Sequence, residues 1–327
     1  MPEWLIESGI GETRAALVEA DRILEARIEL AGTIPAGTIV HARLLDCGTG
    51  GRNGTARDDS GTDYLLPHVP KEITEGASFN IEVTRPALPG PEPWKRPLAK
   101  ATRDERRRPH SLAERLRSTG HPVRKLAFPA PRDELEEADW NDLIDEARTG
   151  RVDFAGGNLG IFFTPAMTLV DVDGTLPPAE LGIAGAVAAA EAVRRLDITG
   201  SIGIDLPTVR GKEARAAASE AVDRALPQPF ERTAVNGFGF LQIVRPRPRA
   251  SLLELAQDRA AFEARALLRR VAFEPAGPKR LVATSAVIDV LKARPDWIED
   301  LSRQVGGSVT LRADPSLPIQ GAYAEKS

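Results

Sequence analysis

The chain has 327 residues, 42% hydrophobic and 28% charged, a balance that excludes a disordered or fibrous polypeptide and allows a sizeable core. Its formal net charge of -4 excludes a uniformly basic coat, so any affinity for nucleic acid has to come from a local patch. Cys47 is the single cysteine, which excludes an intramolecular disulfide and a cysteine-based zinc site within one chain.

The first residues, MPEWLIESGIGETR, lack a basic start followed by an apolar stretch. No later run approaches the roughly 20 apolar residues that span a bilayer, so a soluble, cytoplasmic protein without membrane partners is expected. Apolar segments at Trp4–Ile6, Thr13–Val18 and Ile23–Ile28, separated by turn residues, predict a β-meander over residues 1–33. Residues 34–104 hold short strand candidates (TIVHARLL, TDYLLP, FNIEVT) between glycine-rich and polar loops, the pattern of a small β-barrel, with an OB-type nucleic-acid barrel among the options. The loop Gly48–Gly54 lacks the Lys-Ser/Thr of a phosphate-binding loop and reads as a barrel loop.

Between Lys95 and Arg132 the chain turns basic. Lys95, Arg96, Lys100, Arg103, Arg106, Arg107, Arg108, Arg115, Arg117, Arg124, Lys125 and Arg132 stand against three acids, Asp104, Glu105 and Glu114. Such a run is either a solvated face or a track for a polyanion. Residues 105–165 therefore read as a basic linker, continued by an acidic helix, DELEEADWNDLIDEA.

From 166 to 250 the pattern becomes α/β: TLVDVDG (168–174) is a strand, 179–196 a helix, SIGIDLP (201–207) a strand, 212–225 a helix, and GFGFLQIVRPRPR (237–249) a strand ending in spaced arginines. Residues 251–327 read as two helices, near 251–271 and 284–304, and a last short strand, VTLRADPS.

Asp171 and Asp173, two apart on one predicted strand, project from the same face, and Asp205 closes a neighbouring apolar strand. Strand ends are where sites in α/β sheets collect. Three carboxylates converging from two strands suit a hard cation such as Mg²⁺ or Mn²⁺; the competing reading is that individual aspartates cap turns. The four histidines, His41, His68, His110 and His121, have no spacing that suggests ligation or proton relay.

The string LVDVDGTL matches the first motif of haloacid dehalogenase-like phosphatases, but it lies in mid-chain, the next strand ends in Asp205, and no GDxxxD follows. A resemblance to the RNase E/G family covers more of the chain. AMTLVDVDG resembles that family's strand carrying Asp-hydrophobic-Asn, and EAVRRLDITGSIGIDL, GFGFLQIVRPRPR and LRADPSL are similar to blocks that follow it there in the same order. ESGIGETRAALVEADRILEARIE resembles the family's opening hairpin, and IDEARTGRVDFAGGNLGIF the stretch that feeds the catalytic strand.

The resemblance implies a metal-dependent endoribonuclease acting on single-stranded RNA and leaving 5′-phosphate ends. It also implies an α/β catalytic domain with RNase H-like (1–33 and part of 105–165) and DNase I-like (166–250) elements and an inserted OB-type barrel. Asp171 and Asp205 correspond to the family's two metal-binding aspartates, while Asp173 stands where the family has asparagine and adds a charge beside the metal. As RNA contacts, Lys95, Arg96 and Lys100 lie near the barrel's basic end, Trp94 reads as a base-stacking or packed residue, and Arg210, Lys212, Arg245 and Arg247 stand where they could hold flanking phosphates. The segment that holds the family's 5′-monophosphate sensor is missing. So are the paired cysteines of its zinc link, which leaves a homodimer not bridged by zinc as the oligomer to expect. The alternative from another class is an RNA-binding adaptor that keeps the scaffold without the chemistry.

Overall fold

A computed structural model describes residues 1–89 and 95–326 and gives a mixed α/β fold. Strands β1 (Glu3–Ser8), β2 (Glu12–Glu19) and β3 (Arg22–Leu30) form the expected antiparallel meander. The chain then leaves this sheet for β4 (Ile39–Asp46), β5 (Arg52–Asp58), β6 (Asp63–His68), β7 (Ser78–Arg85) and β8 (Leu98–Thr102), which close into a barrel in the order β4-β5-β6-β8-β7. The seam between β6 and β8 rests on one parallel pair, Leu65 with Leu98. Strand β5 occupies part of the stretch read from sequence as a glycine-rich loop. Its Gly54 is obligatory in that register, since a Cβ there would lie 2.4 Å from Val69 Cγ2.

After the barrel, helix α1 (Leu112–Arg117), closed by a Ser111–Glu114 capping box, leads to β9 (Val123–Lys125), which pairs parallel with β1. The meander sheet therefore has the order β3-β2-β1-β9, and the barrel is an insertion within it. The segment expected as a basic linker is thus largely folded. Most of its arginines lie against carboxylates: Arg106 with Asp59, Arg108 with Glu114, Arg115 with Glu29, Arg124 with Glu3 and Glu134, Arg132 with Glu137.

Helix α2 (Trp140–Thr149) opens a second sheet formed by β10 (Arg151–Phe154), β11 (Gly157–Phe163), β12 (Thr168–Gly174), β13 (Gly200–Asp205), β14 (Glu231–Arg232) and β15 (Phe240–Arg245), in the order β10-β11-β12-β13-β15-β14. This unit starts at Arg151 rather than at 166, because the hairpin β10-β11 pairs antiparallel onto β12. Strands β12 and β13 run parallel, joined by α3 (Pro178–Arg195), and α4 (Lys212–Ala225) follows β13. Val170, Val172, Ile202, Ile204, Leu241 and Ile243 point into the core shared with α3 and α4. Small residues let α3 approach closely: a Cβ on Gly185 would sit 2.3 Å from Val172 Cγ1.

The C-terminal part exceeds the expected helices and single strand. Helices α5 (Leu252–Leu255) and α6 (Arg259–Ala272), then α7 (Ser285–Lys292) and α8 (Pro295–Val305), accompany a three-stranded sheet of β16 (Lys279–Ala283), β17 (Val309–Ala313) and β18 (Tyr323–Lys326), ordered β17-β16-β18. Among the described residues no helix is long and apolar enough to cross a membrane.

A buried ionic lattice ties α6 to the meander. Glu7 accepts from Arg14 Nη1 at 2.7 Å and from Arg269 Nε and Nη2 at 2.9 and 3.0 Å, while Arg265 Nε donates to Glu12 at 2.7 Å. Arg269 also donates to Asp133 at 2.6 and 2.9 Å. Removing one partner strands the opposite charges away from water. Arg269→Ala is therefore expected to destabilise the fold by about 3–5 kcal/mol in urea unfolding. A loss below about 1 kcal/mol, the scale of a surface pair, would show that the lattice carries little.

Candidate functional site

The pleat of β12 sorts TLVDVDG into two faces. Thr168, Val170 and Val172 are buried, whereas Leu169, Asp171 and Asp173 are exposed. In β13, Ile202 and Ile204 enter the same core and Asp205 stands exposed at the strand's end. The parallel register opposes Asp171 directly to Asp205, which sets their backbones about 4.8 Å apart with both side chains on the open face. Asp173 lies two residues further on the same face, about 6–7 Å from Asp171 along the strand.

The neighbouring strands complete this face. Asn158 opposes Asp173, Gly160 opposes Asp171, and Phe240 opposes Asp205. Gly203 leaves room for the Phe240 ring, since a Cβ there would lie 2.5 Å from Phe240 Cζ. Phe162, two residues along β11 from Gly160, is 58% exposed, and Phe238 is 83% exposed. The turn that carries Phe238 is held by Asn236, whose Oδ1 accepts from the N–H groups of Phe238 and Phe240 at 2.8 and 3.1 Å. That turn is latched to the residue after Asp205 by Leu206 N–H donating to the Gly239 carbonyl at 3.2 Å. Gly239 has φ +94° and a Cβ there would fall 2.1 Å from the Leu206 carbonyl oxygen, so both conformation and space require glycine.

The sequence pointed to the carboxylates but not to this aromatic border. The signal was present: alternation in GNLGIFF puts Asn158, Gly160 and Phe162 on one side of a strand.

Burial raises the Asp171 carboxyl above the ordinary aspartate range, and the negative charges of Asp173 and then Asp205 raise it further. Among the described residues the charges that act on Asp171 are those of Asp173 and Asp205, with no lysine, arginine or histidine among them. Like charges directly opposed across a ladder destabilise a sheet, so this arrangement costs stability without a cation.

The three carboxylates form an open row. Among the described residues no three acidic, histidine or cysteine side chains gather into a closed metal cage, so the expected threefold convergence reduces to the pair Asp171–Asp205 with Asp173 beside it. That pair suits Mg²⁺ or Mn²⁺ well. Mg²⁺ in particular is commonly held by one or two carboxylates and keeps several of its waters for exchange with phosphate oxygens.

The expected RNA contacts are dispersed. Lys95 places its ammonium 5.5 Å from the centre of the Phe163 ring. Phe163 opposes Thr168, three residues before Asp171 and on the buried face of β12 rather than the face that carries the carboxylates. Arg96 lies near Asp63, and Lys100 pairs with Glu82 at 2.9 Å on the barrel. Trp94 lies outside the described residues. Arg210 and Lys212 are exposed in the segment that follows Asp205 into α4, at the carboxylate end of the sheet.

Arg245 and Arg247 do not flank the carboxylates. Arg245 opposes Gly200, at the far end of β15 from Phe240, and donates Nη1 to the Ile198 carbonyl at 2.8 Å. Arg247 binds Glu254, which also closes the capping box of α5. Their expected role as phosphate holders beside the aspartates is corrected by this placement.

A raised folded-state pKa means that ionising Asp171 opposes folding: the penalty is absent below the ordinary aspartate range and complete above the raised value. A cation relieves it, so Mn²⁺ binding should strengthen with pH to a higher point than an isolated aspartate would give. In Asp173→Asn, Mn²⁺ titration should find that profile shifted to lower pH and affinity at pH 7 weakened about five- to tenfold, the scale of one nearby charge in a partly solvated site. An unshifted profile would mean that Asp173 and Asp171 are not coupled.

Compared with known proteins, the chain matches no family model and no curated protein.

Proposed function

We propose that this protein is a metal-dependent endoribonuclease, a reduced relative of the RNase E/G family, that hydrolyses single-stranded RNA and leaves 5′-phosphate and 3′-hydroxyl ends. The observation that carries the reading is the direct opposition of Asp171 and Asp205 on an open sheet face, with Asp173 beside them and, among the described residues, no cation acting on Asp171. The layout agrees with it. An antiparallel meander followed by a parallel fourth strand is what we read as the RNase H-like element, and the inserted barrel as its OB-type RNA-binding module. The sheet covered on one side by α3 and α4 is what we read as the DNase I-like unit.

Asp171 and Asp205 would hold the cation, and Asp173 sets the local field and the proton affinity of Asp171. Mg²⁺ or Mn²⁺, when bound there, would supply water activation and charge stabilisation for phosphodiester hydrolysis. Arg210 and Lys212 are the cations nearest in the chain to Asp205 and take flanking phosphates. Phe162, Phe238 and Phe240 offer ring faces on which unpaired bases stack, which favours single strands over duplex. Lys95 and Arg96 guide the strand from the barrel toward this face.

Purified protein is expected to cleave a labelled single-stranded RNA with Mg²⁺ and not with EDTA. Asp171→Asn and Asp205→Asn should each lower the rate on the order of 100-fold or more, the usual loss when a main electrostatic group at a reaction centre is removed. Cleavage that persists in EDTA or in both variants would refute the mechanism. Binding without cleavage would identify an adaptor instead, and turnover of small phosphoesters alone a phosphatase.

Phe240→Ala removes a stacking face worth roughly 1 to 3 kcal/mol per base, so gel-shift affinity for single-stranded RNA should fall while duplex affinity stays unchanged. Equal losses on both substrates would place Phe240 outside the binding face.

A further inference from the structure

At the other end of the same sheet, a cavity of about 410 Å³ opens between the meander and the start of β13. Arg27, Arg194, Arg245, Arg249 and His121 line it, against two carboxylates, Glu25 and Asp197, and Trp4 forms one wall. The acids are already engaged. Arg249 donates Nη2 to Asp197 at 2.9 Å and Arg27 Nη2 lies 2.6 Å from Glu25.

Among the described residues two guanidinium groups have no close carboxylate partner. Arg194 comes no closer to a carboxylate than 3.9 Å, at Glu25, and its Nε is buried without a hydrogen-bond partner. Among the described residues Arg245 pairs with no carboxylate and donates only Nη1, to backbone carbonyls, which leaves its Nε and Nη2 donors. Burial depresses the pKa of both Arg27 and Arg245, with the positive charge of Arg249 contributing in each case. A buried donor without an acceptor, in a cavity where arginines outnumber carboxylates, is the environment that an anion relieves.

We propose that this cavity is a binding site for a phosphoryl dianion, a free phosphate or a terminal phosphate monoester. Two surplus positive charges match a dianion better than a single carboxylate. Rigid guanidinium forks match the tetrahedral oxygens in paired hydrogen bonds, and His121 adds a further donor at the rim. Arg245 and Phe240 are five residues apart on β15, so the site lies roughly 17 Å from the aspartates and is not the reaction centre. It stands whether or not the aspartates cut RNA.

The test is calorimetric titration of the full chain with inorganic phosphate against chloride of equal ionic strength. Saturable binding is expected, weakened at least about tenfold in Arg194→Gln through loss of charge-assisted hydrogen bonds. Thermal unfolding in chloride checks that this variant folds, and His121→Gln, expected to weaken binding less, serves as a second variant. No saturable binding, or equal binding in wild type and both variants, overturns the site. Competition by 5′-phosphorylated and 5′-hydroxyl trinucleotides separates the sources. Displacement by the phosphorylated form alone assigns an RNA end, displacement by neither assigns small phosphates, and equal displacement by both overturns the reading as a terminal phosphate site.

Discussion

Arg269 reaches from α6 into the N-terminal sheet and sets its guanidinium between two carboxylates far apart in the chain, Glu7 and Asp133. Three segments distant in the chain meet there. Glu7 in turn holds Arg14, and Arg14 and Arg265 share Glu12, so a closed set of charges lies in the interior. Apolar surfaces slide over one another at little cost, but this set tolerates one relative placement, because any other leaves a charge buried alone. The meander is thereby held against the C-terminal helices while the barrel is inserted into it, and the second sheet packs on its other side through a shared apolar core.

Against that rigid frame the second sheet is asymmetric. One face is buried beneath α3 and α4, and the other presents Asp171, Asp173 and Asp205 among Phe162, Leu169 and Phe240. Opposed like charges and exposed aromatic rings both lower stability, and they coincide on one small patch. Such local conflict is characteristic of surfaces kept for a ligand. In the function proposed above, a cation relieves the first conflict and stacked bases the second.

Arginines divide between two duties. Most of those in the basic stretch and in RPRPR are committed to carboxylates or carbonyls of this same chain, where they brace one unit against another. Others are placed differently: Arg210 and Lys212 lie exposed at the carboxylate end, and Arg194, together with the carbonyl-bound Arg245, faces a cavity at the opposite end. Counting charges along the chain does not separate these duties, since each depends on which acid folding brings alongside.

Local pattern was enough for much of the chain. Alternation in TLVDVDG put Asp171 and Asp173 on one face, the apolar run before Asp205 marked a strand, and helical composition marked Lys212–Ala225, because pleat and helical period are properties of adjacent residues. The meander strands were legible for the same reason. Tertiary structure alone decided that Asp171 opposes Asp205, that β10 and β11 extend the sheet that carries them, that β5 lies in an apparent loop, and that Arg245 and Arg247 turn inward. Ladder register and ion pairing join residues tens to hundreds of positions apart, and they are set by what is buried together, a quantity no window of sequence contains.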